Sequence, residues 1–180
     1  MRILGFIIVV LLFTAGIHNG GTFQAFFDLS AVLLVLGTTV GGFLMTAGSQ
    51  TGEALRAVFS KGASSDRLRI GRHGFRGGRI GALAGGGVSF GIGIIFVLGT
   101  LDDPGAIGPG LAISLLGFLW GAFLSYLVLL PIESGMERRL IEMGEETDVK
   151  SLISLDLLVL GLGLVICMGF FSVLMFSFGK

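Results

Sequence analysis

Apolar residues in this chain gather into long unbroken runs instead of alternating with polar ones. Five runs stand out: Ile3 to Ile17, Ala31 to Ala47, Ile80 to Leu101, Leu111 to Ile132 and Leu157 to Phe178. A helix needs about 20 mainly apolar residues to cross the hydrocarbon core of a bilayer. The pattern therefore predicts an all-α integral membrane protein, a single domain (1–180) built as a helical bundle of five transmembrane helices. The first run is short, and Met1-Arg2 followed by an apolar stretch and small residues also fits a signal peptide. Two polar segments, 48–79 and 133–156, separate the runs on one side. In the first, Thr51 is expected to cap a short helix with Leu55, Val58 and Phe59 on one face. Its second half, RLRIGRHGFRGGR (67–79), reads as a stop-transfer and lipid-headgroup anchor with His73 solvated. After the fourth run, Met136, Leu140 and Met143 recur at helical spacing. That helix is expected to continue as an amphipathic stalk up to Gly144.

Composition sharpens the picture. Of 180 residues, 53% are apolar and only 13% charged, with a mean hydropathy of +0.94. Soluble domains carry about 25% charged residues. A secreted disulfide scaffold, a disordered chain and an ordinary soluble enzyme are excluded. The net charge of zero suggests no nucleic-acid partner. The distribution of charge assigns orientation through the positive-inside rule. With five spans and a cytoplasmic N-terminus, eleven of the twelve basic residues fall inside, and only Lys180 lies outside. The outer segments, His18 to Ser30 and Asp102 to Gly110, contain Asp28, Asp102 and Asp103 and no Lys or Arg.

The chemistry-bearing residues are sparse. Two isolated histidines and the single Cys167 cannot build a metal centre, so neither a metal nor another cofactor is expected. No serine–histidine–acid set lies at a plausible depth, and no catalytic residue is assigned. GGRIGALAGGG is rich in glycine but lacks the preceding strand of a dinucleotide loop, so close helix packing explains it better. Asp156, at the edge of the fifth run, reads as an interfacial cap. The third and fourth runs hold no carboxylate or basic side chain except the edge aspartates. They do hold Gly81 to Gly85 and Gly87 to Gly91, both small-xxx-small spacings that invite tight helix contact within or between protomers.

Two segments carry a family resemblance. FFDLSAVLLVLGTTVGGFLMTAGSQTGEALRAVF (26–59) resembles the second span of the MotA/TolQ/ExbB proton-channel family, MotA branch. GTLDDPGAIGPGLAISLLGFLWGAFLSYLVLLPIESGMERR (99–139) resembles its third-to-fourth-span hairpin. The resemblance implies a subunit of an ion-driven (proton or sodium) membrane motor in a bacterial inner membrane. Several copies, a pentamer by family analogy, would ring a MotB/ExbD-like single-span partner whose intramembrane aspartate carries the ion. Asp102, Asp103, Pro104, Gly108 and Pro109 carry over as structural turn positions, and Pro131 as the family's proline near the inner mouth. Ser125 and Tyr126 fall where the family has a small residue and a polar or aromatic one.

The departures are informative. Leu83 stands where the family's third span opens with proline. Phe90, beside Ser89, stands at a small or threonine position. Phe118, beside Gly117, replaces the pore-facing threonine. Two readings stay open: a lining shifted to Ser89, Ser114 and Ser125, or a non-conducting scaffold that has lost the pore hydroxyls. The cytoplasmic loop is also short, 32 residues (48–79) where flagellar relatives carry a long rotor-engaging domain, and the fifth span has no counterpart in the four-span pattern.

Overall fold

The computed structural model describes residues 26–145 apart from Lys61, together with scattered helical positions between 7 and 18. The expected fifth span, Asp156 and Cys167 lie outside the described residues, as does most of the first span. The described residues contain only helices. These are α1 (Leu29–Ala47), a 3-10 turn (Gly48–Gln50), α2 (Thr51–Phe59), α3 (Ser65–Gly99), α4 (Pro104–Phe123), a π-helical segment (Leu124–Leu129) and α5 (Leu130–Glu142). Among the described residues, three stretches are long and apolar enough to cross a membrane: Leu29–Phe59, Ser65–Gly99 and Ile107–Glu142.

Local chemistry explains the ends. The Asp28 carboxylate accepts the Ala31 N–H at 2.8 Å and starts α1. Gly48, at φ +54°, ends it in a conformation that side chains rarely adopt. Asp103 accepts the Gly105 N–H at 3.0 Å, and Pro104 follows at the first helical position, where a missing N–H costs nothing. The turn between α3 and α4 is therefore only Thr100 to Asp103. Gly108 and Pro109, expected in the turn, lie inside α4. The predicted stalk is present: α5 buries Met136 and Leu140, and Gly144 terminates it at φ +81°.

The segment 48–79 departs from its expected form. Thr51 is the first residue of α2 instead of its cap, and its hydroxyl donates to the Gly48 carbonyl. The face α2 buries is Ala54 and Ala57, while Leu55 and Phe59 are exposed. The basic stretch 67–79, expected as a headgroup anchor within a loop, is helical. It is the first half of α3, a 35-residue helix roughly 50 Å long at 1.5 Å per residue. Propensity alone would not hold so glycine-rich a helix; packing does. Gly71 faces Met136 and Ala57, and Gly74 faces Phe43 and Ala47. His73, as expected, is exposed.

α3 is the centre of the bundle, and two seams free of large side chains hold it. Toward α1, Gly77 lies against Gly42 and Thr46, while Gly81 and Gly85 lie against Thr38. Toward α4, Gly86 meets Gly117 and Gly121, and Gly93 meets Gly110 and Ser114. Of the two small-xxx-small pairs, Gly81/Gly85 is thus consumed inside the protomer. Among the described residues, Gly87 and Gly91 have no atom within 4 Å of where a Cβ would sit.

Candidate functional site

The α3–α4 hairpin gathers the residues singled out from sequence, but sorts them into three environments. Ser89 and Ser114 are buried in the seam. Ser89 Oγ donates to the Ile113 carbonyl at 3.3 Å, and Ser114 Oγ donates to the Phe90 carbonyl at 3.2 Å and the Gly110 carbonyl at 3.1 Å. Gly117 is the hollow that receives the Ser89 side chain. Both hydroxyls are therefore used to lock one helix to the other.

Phe90 and Phe118 form the second environment. Their rings meet edge to face, with centroids 6.5 Å apart, and both residues are half-buried. α1 is met by Trp120 and Phe123 of α4 and Leu124 of the π segment, which share a cavity with Val32, Val35 and Leu36. The Trp120 indole also donates to the Phe26 carbonyl at 3.0 Å.

The third environment is at the end of the hairpin remote from the Thr100–Asp103 turn, and sequence reasoning missed it. Arg79 and Glu133 flank the predicted spans and read there as ordinary loop charges. In the structure they meet: Arg79 Nε donates to Glu133 Oε2 at 2.7 Å, with both side chains at most 3% exposed. A ladder of charges continues outward from this pair. Arg72 faces Glu137 at 3.9 Å, and Arg69 pairs with Glu145. Arg139 donates to the Ser60 carbonyl at 3.0 Å, tying α5 to the end of α2. A signal was available: Arg72, Arg76 and Arg79 recur at helical spacing, as do Glu133 and Glu137. Reading 67–79 as non-helical concealed it. Ser125 and Tyr126 lie just above the pair, in the π segment, where the Leu130 N–H reaches back five residues to the Ser125 carbonyl. Pro131, in the first turn of α5, has no N–H to offer the carbonyls before it. A widened π turn there is the expected accommodation.

No family model matches the chain. Individual proteins do match parts of it. It is 44% identical over 48 residues to the chemotaxis protein PomA of Vibrio alginolyticus, covering 27% of this chain and 19% of that protein. It is 32% identical over 100 residues to the uncharacterized protein YtxD of Bacillus subtilis, covering 54% and 37%. Over 46 residues it is 39% identical to motility protein A of Cereibacter sphaeroides, covering 26% and 18%. Over part of its length, this chain is similar to motility proteins of the MotA/PomA kind. The matched stretches span little more than a third of those relatives at most. Similarity and the three apolar helices agree on a membrane protein.

Proposed function

We propose that this chain is a MotA/ExbB-like subunit of an ion-driven membrane motor or channel complex in a bacterial inner membrane. Copies of it form a homo-oligomeric ring around an acidic single-span partner. The observation that carries this reading is the α3–α4 hairpin: it has the Asp-Asp-Pro turn of the resemblance read from 99–139, and its apolar stretches contain no carboxylate. A hairpin of this kind can enclose a titratable group only if another chain brings it, because an unpaired charge in hydrocarbon is costly. The open surface at Gly87 and Gly91 supports close approach by a further helix. Purified in mild detergent with its genomic neighbours co-expressed, the chain is expected to emerge as a homo-oligomer carrying a second small membrane protein with an intramembrane aspartate. A particle of one copy and no partner defeats the reading.

The Phe90–Phe118 contact favours a second reading, a scaffold that keeps the fold without conducting. Two rings at positions where the family has hydroxyl or small residues remove contacts for an ion or water and narrow any passage. Proton and sodium flux into liposomes holding the chain and its partner separates the two. On the motor reading, Phe118→Thr raises flux above a measurable wild-type level. Absence of flux in both proteins leaves the scaffold.

A further inference from the structure

Four buried residues with hydroxyl side chains occur among the described residues: Thr39, Ser89, Ser114 and Ser125. Three of them donate to backbone carbonyls. Ser125 is fully buried, and its Oγ has no partner among the described residues. The hydroxyl of the adjacent Tyr126 is likewise buried and without a protein partner, and it lies within electrostatic reach of Arg79. Glu133 uses one oxygen on Arg79 and leaves the other, Oε1, buried and unbonded. Glu137 Oε1 repeats this one turn further on, where Arg72 is too distant at 3.9 Å for a hydrogen bond. Polar groups in this state occur together along one stretch of helix, beside a π segment and a proline that displace backbone pairing.

An orphaned buried polar atom costs about 1–3 kcal/mol, and folded proteins usually satisfy such atoms with ordered water held by two to four partners. A metal cation fits poorly, since Arg72, Arg76 and Arg79 outnumber Glu133 and Glu137 on the facing helices. An anion fits poorly too, since the carboxylate oxygens Glu133 Oε1 and Glu137 Oε1 stand among the orphaned atoms, beside Arg72 Nε, and would repel it. Water both donates and accepts. We infer that the π segment, α5 and the inner half of α3 enclose a site for bound water, with Ser125, Tyr126 and Glu133 as its ligands. This site hydrates the hairpin from its cytoplasmic end up to the level of Ser125. It rests on the motor reading only for its use, as the place where an ion leaving the hairpin meets water.

Tyr126 is the only tyrosine in the chain, so its signal needs no assignment. The full chain in nanodiscs is exposed to X-ray pulses, which make hydroxyl radicals from water bound in place. Tyr126 is expected to be oxidised within about tenfold of its rate in the SDS-unfolded chain, although its hydroxyl is buried, because water sits against it. In parallel, ultraviolet resonance Raman spectra should show a hydrogen-bonded phenol that exchanges to deuterium within the mixing time. In the double variant Arg79→Met/Glu133→Leu, Tyr126 oxidation should fall several-fold while that of Phe90 is unchanged. Oxidation of Tyr126 no faster than that of the buried Phe75, or slow deuterium exchange, overturns the proposal. A hydrogen-bonded but unoxidised Tyr126 also overturns it, since the partner is then protein. The wild-type measurement stands even if the variant fails to fold. A hydrated Tyr126 in a solitary chain would keep this site and sink the motor; a dry Tyr126 inside a ring would do the reverse.

Discussion

Glu133→Ala will destabilise the folded chain by about 3–5 kcal/mol, the usual cost of leaving one member of a buried ion pair without its counter-charge. Arg79 is 1% exposed and sits on the helix that packs against α1, α2, α4, the π segment and α5, so its guanidinium cannot swing into water without opening the bundle. The double replacement Arg79→Met/Glu133→Leu removes both charges at similar volume. It should recover most of the loss, because exchanging a buried pair for apolar packing is often neutral or better. SDS-induced unfolding from mixed micelles, followed by the fluorescence of the single Trp120, measures all three proteins. A single substitution as mild as the double one would show that Arg79 finds water or another partner, and that the pair does not hold the hairpin's inner end.

The second large effect lies in the glycine seams. Gly81→Ala should cost about 1–3 kcal/mol, the range for forcing extra volume into a packed interface. The new methyl would run into the Thr38 carbonyl, which is backbone and cannot rotate away. Gly121→Ala should behave alike, since its Cβ would lie 2.7 Å from the Ala82 carbonyl oxygen and 3.0 Å from Gly86 Cα. Gly87→Ala and Gly91→Ala are the controls, being open in one copy. They should leave the unfolding transition of the single chain unchanged or raise it slightly, since alanine is the better helix former. If the open face packs against another helix in the assembly, bulkier substitutions there should instead weaken the oligomer. Equal losses at Gly81 and Gly87 in the isolated chain would contradict the packing described.

These two groups of residues also show how far the amino-acid pattern reached. Apolar runs located α1, α3 and α4 because lipid solvent demands them over a length that few other structures require. The helical spacing of Met136 and Leu140 foretold the stalk, and a lone glycine, Gly144, marked its end. The same reasoning failed for 67–79. Arginines and glycines in alternation resemble a loop when propensity is the guide, and nothing local reveals that Gly71 and Gly74 are hollows for Met136 and Phe43. Leu55 and Phe59 misled in the opposite sense. An amphipathic rule assigns large apolar residues inward, yet α2 docks through Ala54 and Ala57 because α3 approaches closely there.

What the sequence determined alone was everything governed by the solvent: membrane insertion, three of the helical rods, the outer turn, and the absence of carboxylates from the hairpin's apolar stretches. These follow from transfer free energies, which act residue by residue and need no knowledge of neighbours. Only the tertiary structure decided which glycines are spent inside one copy and which remain open, which serines are locked in a seam, and that Arg79 meets Glu133. Those outcomes depend on the distance between helices remote in sequence, a quantity that no local pattern encodes.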